Sequence, residues 1–336
     1  MAKRVTIKDV AKAAGLSITT VSQILNGKGD RFPATTQEKV MQIRDQLGYV
    51  PNFNARNLIS HSMKTVGIIV PNLVNPFFAM FLRGIQDAMY EHECVPIILS
   101  ADRDENLEHY YLRTLVERGV DAMIIASSAV GNAELNGLLK RNAVPYLLFD
   151  QNDPINEGDR IIVDDERGGE LATNHLIEAG HRKIAMVLPE RPSQNVRLRL
   201  AGYRSALVRH GLAFDEALVF STELSKAGGQ HVAKQVFDSG ATAVFSANDE
   251  LALGVMRGAQ MLGKKVPDDL SVVGYDDIDL DEYMVPRLTT VHQPVYDMGT
   301  WASQMIMKRL RDPAHAPLFK VVDVALVKRD SVSNVK

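Results

Sequence analysis

Six short stretches of this chain place an aromatic ring, a carboxylate, an amide or a guanidinium just after a run of apolar residues. They are Asn75 with Phe77 and Phe78, Asp150 with Gln151, Arg197 with Arg199, Asn248 with Asp249, Asp276 with Asp277, and Gln293 in Leu288-Thr-Thr-Val-His-Gln-Pro294. Aromatic faces suit the C–H surface of a sugar, and paired polar groups suit its hydroxyls, at about 1 kcal/mol per satisfied hydrogen bond and more where a charge takes part. Asp150, Asp276 and Gln293 favour a neutral polyol over an anion, because carboxylates repel phosphate. Singly, each residue has a plainer use: Phe77 and Phe78 also suit a core, and Asp276 a helix cap.

Signs of catalysis are missing. No Gly-x-x-x-x-Gly-Lys phosphate loop and no Gly-x-Ser-x-Gly elbow is expected, and Gly168-Gly169 lacks the dinucleotide fingerprint. The nine His residues include no His-x-x-x-His pair, and the single Cys94 excludes a disulfide framework and a cysteine zinc cluster. We therefore expect no catalytic residue, no metal and no cofactor.

The 336 residues exceed one ordinary domain, so two or three units are expected. Lys and Arg number 38 against 41 Asp and Glu, a net charge of −3 that argues against a polyanionic partner if evenly spread. It is not evenly spread: residues 1–62 carry +5 and the remaining 274 carry −8. A basic head on an acidic body is a division of labour. The charged N-terminus does not read as a signal peptide, and no apolar run of about 18 residues is present. A cytoplasmic protein with no membrane partner is expected.

Three short helices must position the head's polar residues. Thr6 can cap Ile7 to Ala14, with Gly15 as the stop, and Ser17 opens Ile18 to Leu25, which ends at Asn26-Gly27. Two helices joined by so tight a turn match a helix-turn-helix. Thr35-Thr36-Gln37-Glu38 has capping-box spacing ahead of a third helix, and Val10, Ala14, Val21, Leu25, Val40 and Leu47 are the expected core.

The run Thr6 to Gly27, followed by Gly48-Tyr-Val-Pro-Asn-Phe-Asn-Ala-Arg-Asn-Leu58, resembles the DNA-binding head of LacI/GalR-type repressors. The resemblance implies that Ile18, Thr19 and Gln23 read base edges, with Ser17, Thr20, Ser22 and Asn26 near phosphates. Thr6, Tyr49 and Asn52 join the implied DNA-binding set. Gln23 stands where the family usually has Arg and pairs better with adenine than guanine, so the operator half-site should differ from the usual one. Residues 51–62 resemble the hinge helix, too short to be stable alone, with Ala55 packing against its twin and Leu58 wedged into the minor groove.

From Thr65 onward, continuous apolar runs alternate with helical stretches, the pattern of an α/β fold with doubly wound parallel sheets whose strands are buried on both faces. Strands are expected at 66–70, 95–99, 122–126, 146–149, 183–187, 243–246 and 271–274, and helices at 77–91, 106–118, 169–179, 199–210 and 250–262. Ligands in such folds sit at the carboxyl ends of strands, where the six stretches fall. Pro71 to Gly84, Ile162 to Gly169, Gly180 to Ile184, Asn248 to Gly254, Val272 to Asp277 and Leu288 to Pro294 are similar to LacI/GalR core motifs.

That resemblance implies a two-lobed, periplasmic-binding-protein-like core and the domain plan 1–50 (head), 51–62 (hinge), 63–162 with 292–319 (N-lobe) and 163–291 with 320–336 (C-lobe). Crossings between lobes would fall near Val163, Val291 and Phe319. Similarity to periplasmic ribose-binding proteins implies effector contacts from Asn75, Phe77, Phe78, Asp150, Asn248, Asp276 and Gln293, with Arg199 preferred over Arg197. Gln151 replaces an Arg of the ribose binders, and near Leu224 the aromatic of those proteins is absent. The implied protein is a homodimeric repressor of a sugar-utilisation operon, binding a pseudo-palindromic double-stranded DNA operator and switched by a pentose such as ribose or a small hexose. A purine effector, a partner-protein co-effector, or a cytoplasmic sugar-binding protein without DNA function are the alternatives.

Overall fold

The computed structural model describes residues 5–50, 65–102, 104–126, 131, 134–151 and 157–335. They fall into two compact units, residues 1–63 and 64–336.

In the first unit, α1 (Ile7–Ala14), α2 (Ile18–Leu25) and α3 (Ala34–Leu47) pack around Val10, Ala14, Val21, Ile24, Val40 and the ring of Tyr49. Thr6 and Asp9 lock the start of α1: the Thr6 backbone N–H and hydroxyl both donate to Asp9 Oδ2, at 2.8 and 2.7 Å. Gly15, at φ 69°, ends the helix in the left-handed conformation that glycine adopts without strain. Ser17 Oγ then accepts the Thr20 N–H at 3.0 Å and starts α2.

Two expectations fail here. Helix α3 begins at Ala34, with Pro33 at the cap and no side-chain cap bond, so the Thr35–Glu38 capping box does not form. Proline's fixed φ already sets the entry to a helix, and the chain turns one residue earlier than the Thr pair suggests. Leu47 is exposed in the last turn of α3, whereas Ile24 and Tyr49 belong to the core.

The second unit holds two six-stranded sheets. Its elements begin with β1 (Thr65–Val70), α4 (Pro76–Tyr90), β2 (Val95–Ser100), α5 (Glu105–Glu117), β3 (Ala122–Ile125), β4 (Tyr146–Phe149) and β5 (Asp159–Val163). There follow α6 (Asp165–Glu178), β6 (Ile184–Pro189), α7 (Gln194–Arg209), β7 (Val219–Thr222), α8 (Lys226–Asp238), β8 (Ala243–Ser246), α9 (Asp249–Met261) and β9 (Ser271–Asp276). The last are β10 (Thr289–His292), α10 (Val295–Arg311), β11 (Phe319–Val322) and β12 (Ala325–Val327).

The N-lobe sheet runs β11-β5-β4-β3-β1-β2, all parallel, and the C-lobe sheet runs β12-β10-β9-β8-β6-β7, with only β12 antiparallel. Strands β1, β3, β4, β6, β8 and β9 are buried along their whole length, which explains their unbroken apolar runs. Phe319 is not at a lobe crossing: it begins β11, which pairs with β5 as far as Val322–Val163, so the chain leaves the N-lobe at Asp323 and Val324. Helix α10 follows C-lobe strand β10 yet packs Met298, Ala302 and Ile306 into the N-lobe core with Phe81 and Ile85. Among the described residues, no helix is long and apolar enough to cross a membrane.

Candidate functional site

The site forms where strand ends of the two lobes meet. At the end of β9, Asp276 and Asp277 adopt φ of 117° and 60°, and Asp150 after β4 adopts 56°. Non-glycine residues in this region cost about 1–3 kcal/mol each and persist where the surroundings over-determine them, as binding sites do. Gln293 Nε2 donates to Asp276 Oδ1 at 2.8 Å, and the Gln293 amide oxygen has no donor among the described residues. Arg199 reaches in from α7: its Nη1 donates to the Ala247 carbonyl at 2.6 Å and lies 3.8 Å from Asp276, and its guanidinium stacks 3.6 Å from the Tyr275 ring centroid.

Asn75 and Asn248 do double duty. Each caps a helix, α4 or α9, with Oδ1 accepting the Phe77 N–H at 2.9 Å or the Leu251 N–H at 3.0 Å. The amide nitrogen of each remains a donor beyond the cap. Phe77 is buried and Phe78 half-buried, in an edge-to-face pair at 5.1 Å, and Phe77 also meets Phe149 at 6.3 Å, one residue before Asp150. Arg197 is not brought in: it is exposed and bonds to the Pro192 carbonyl. Gln151 donates to the Ile125 carbonyl at 3.0 Å. Beside this cluster, a cleft of about 420 Å³ opens between N-lobe residues Asn72, Asn75 and Asp102 and C-lobe residues Glu223, Lys226 and Glu250.

The electrostatics are those of a buried cluster with too many acids. Burial lifts the carboxyl of Asp276 well above the usual range, against the pull of Arg199. Burial does the same to Asp150, with Asp165 adding to it. For Arg199 burial opposes the charge, but Asp165, Tyr275 and Asp276 outweigh it, and its pKa is raised. Below the site, Asp249 accepts from Thr290 Oγ1 at 2.6 Å and from the Ile278 N–H at 3.1 Å, and it faces the fully buried Asp281.

The sequence did not single out Asp165, Tyr275, Thr290 or Asp281. The signal for Asp165 lay in Asp164-Asp-Glu-Arg-Gly-Gly169: Asp164 caps α6 by accepting the Arg167 N–H at 3.1 Å, which turns its neighbour Asp165 inward. Gly168 and Gly169 make the space: a Cβ on Gly168 would lie 2.2 Å from the Tyr275 hydroxyl, and one on Gly169 2.2 Å from the Arg199 carbonyl. Gly258 to Lys264 has Gly-x-x-x-x-Gly-Lys spacing, but Lys265 follows and the segment closes the C-terminal end of α9, so no helix N-terminus faces a phosphate there. Among the described residues, no group of His, Cys, Asp and Glu is arranged to hold a metal ion.

In the head, the exposed face of α2 carries the sequence-predicted readers. Ile18 is 44% exposed, a large apolar side chain that the head's own core does not use, with Thr19 exposed beside it and Gln23 half-exposed a turn later. Ser17 and Thr20 share a hydroxyl contact of 2.9 Å, and Asn26 Nδ2 donates to Ser22 Oγ at 3.3 Å. Tyr49 lies in the core, so only its rim is offered outward. Asn52, Ala55 and Leu58 lie outside the described residues.

The model of the lacI family of bacterial regulatory proteins matches residues 6–52, and that of a periplasmic binding protein-like domain matches residues 173–332. The transcriptional regulator DegA of Bacillus subtilis is 34% identical over 98% of each chain. The transcriptional repressor PurR of Vibrio campbellii is 36% identical over 98% of this chain and 99% of its own. Among solved structures, a LacI family transcriptional regulator from Enterococcus faecium with bound ribose is 39% identical, with a TM-score of 0.77 over 81% of this chain and 100% of that one. The lac repressor dimer bound to operator and an anti-inducer is 27% identical, with a TM-score of 0.87 over 98% of this chain and 100% of that one.

Proposed function

The chain belongs to the lacI family of bacterial regulatory proteins, a DNA-binding transcriptional regulator and not an enzyme, and from that premise we propose that it is a repressor released or engaged by a small sugar, with ribose first. The observation that carries the sugar reading is the constellation of Arg199, Asp276 and Gln293 from one lobe with Asp150 from the other. It offers charged and amide partners to hydroxyls, with Phe77 and Phe78 as apolar faces. The ribose bound by the Enterococcus faecium regulator supports the same class of ligand.

In this reading the head, residues 1–50, reads the operator through Ile18, Thr19 and Gln23; the expected hinge, 51–62, lies outside the described residues. The protein acts as a homodimer on a two-fold operator. A sugar bridging the lobes favours one closure angle, and a coupling of about 1–3 kcal/mol changes operator affinity roughly 5- to 150-fold. A purine effector is the second reading, favoured by the end-to-end match to a repressor named PurR.

A thermal-shift panel of pentoses, hexoses and purines separates the two. A ligand at about 100 times its dissociation constant adds about 2.7 kcal/mol of stability, a shift of about 5 °C or more. A shift with purines and none with any sugar would remove the sugar reading.

A further inference from the structure

Asp165 is the nearest charged partner of Arg199. It is the first residue of α6, buried to 1% exposure, and its Oδ1 takes the Arg199 Nε–H at 2.8 Å, whereas Asp276 stands 3.8 Å away. With the Tyr275 ring beneath the guanidinium and the Ala247 carbonyl on Nη1, Asp165 completes a three-sided clamp. Its Oδ2 is buried without a hydrogen bond of ordinary geometry to any described residue. Instead its carboxyl faces Asp150, which the other lobe contributes at the end of β4.

Asp150, Asp165 and Asp276 surround one guanidinium, Asp249 lies behind Asp276, and the Tyr275 hydroxyl faces Asp165. A buried cluster with more carboxyls than cations retains protons, because an uncompensated charge out of water costs far more than a neutral acid.

We propose that Asp165 is the positioning residue of the effector site: it fixes the Arg199 guanidinium for the ligand and shares a proton with Asp150 across the lobes, a proton that a hydroxyl-bearing effector displaces on binding. The effector's O–H groups then donate to the freed carboxylate oxygens and the displaced proton passes to solvent, with no covalent bond between heavy atoms made or broken. This rests on the sugar-effector reading. Burial, and the facing Asp165, hold the Asp150 carboxyl well above the usual range.

The test is isothermal titration of the full-length protein with D-ribose between pH 5.5 and 8.5, in buffers of different ionisation heat. The wild type should release about one proton, and its affinity should rise with pH, up to tenfold per unit while the pair titrates. Asp165→Asn should bind ribose at least tenfold more weakly at pH 8, because Arg199 loses its close partner. Its pH profile should move to lower pH, because Asp150 no longer faces a second carboxyl.

Ribose binding without proton release by the wild type overturns the proposal. So does an Asp165→Asn variant with unchanged affinity, or one with weakened affinity and an unmoved pH profile, which would reduce Asp165 to packing. Should that variant not fold, the wild-type proton count decides alone. No ribose heat at any pH removes ribose as the effector and this inference with it, a result distinct from binding without protons.

Discussion

Replacing Asp281 by Asn removes one carboxyl from a buried acid pair, and the change should appear in stability against pH. Asp281 is fully buried, and its oxygens meet no amide or hydroxyl donor among the described residues, only the carboxyl of Asp249. Burial pushes Asp281 up from 3.8 to about 7 and holds Asp249 well above its usual range, although Arg329 pulls Asp281 the other way. A carboxyl whose pKa is raised in the fold binds more protons there than in the unfolded chain. Its stabilising effect is therefore complete below about pH 4 and is lost as pH rises through about 7. Roughly three units at 1.36 kcal/mol each set a ceiling of about 4 kcal/mol, and sharing the proton with Asp249 leaves about 2 kcal/mol for the single variant to recover. At about 2–4 °C per kcal/mol, Asp281→Asn should melt about 4–8 °C above the wild type at pH 8, and the two should converge near pH 4. Thermal unfolding followed by circular dichroism from pH 4 to 8.5 measures this. The difference between the two proteins cancels groups of opposite sign, such as His181, whose pKa burial lowers. A difference that stays flat across the window, or a variant less stable than the wild type at pH 8, would refute the shared-proton account.

Three further outcomes follow from particular contacts. Ser17→Ala removes the acceptor for the Thr20 N–H and should cost the head about 1 kcal/mol, read as a lower melting temperature and weaker operator binding. Gly202→Ala sets a Cβ 2.0 Å from the Glu166 carbonyl, forcing α6 and α7 apart at a cost of about 1–3 kcal/mol; an unchanged urea midpoint would contradict that packing. Gln23→Arg should move the preferred base at its half-site position from adenine toward guanine by about 1–3 kcal/mol of discrimination, measured by binding to operators varied at that position.

How much of this was legible in the residues depended on how local the cause was. The helices of the head follow from Ser17, Gly15 and the spacing of Val10, Ala14 and Val21, all of which act within a turn or two of chain. Helix α8 was missed because Gly228-Gly229 reads as a breaker, yet Gly229 admits α9, whose Leu251 carbonyl would lie 2.2 Å from a Cβ on Gly229, and Gly228 clears the Glu223 carbonyl, 2.0 Å from a Cβ there. Strands β7 and β11 were missed because each is short, lies at or beside a sheet edge and is only partly buried, so neither shows an unbroken apolar run.

By itself the sequence determined the α/β class, the basic head on an acidic body, and the strand ends where polar side chains gather, because periodicity, capping and charge are written along the chain. Tertiary structure decided which of those groups meet. Arg199 and Arg197 are two residues apart on one helix, yet one is buried against Asp165 and the other points to solvent. Asp165 stands 34 residues from Arg199 and Gln293 17 residues from Asp276, and nothing in either local sequence announces the partner. An ion pair or a shared proton depends on desolvation and on distances of a few ångströms, which exist only once the sheets have stacked their strand ends together.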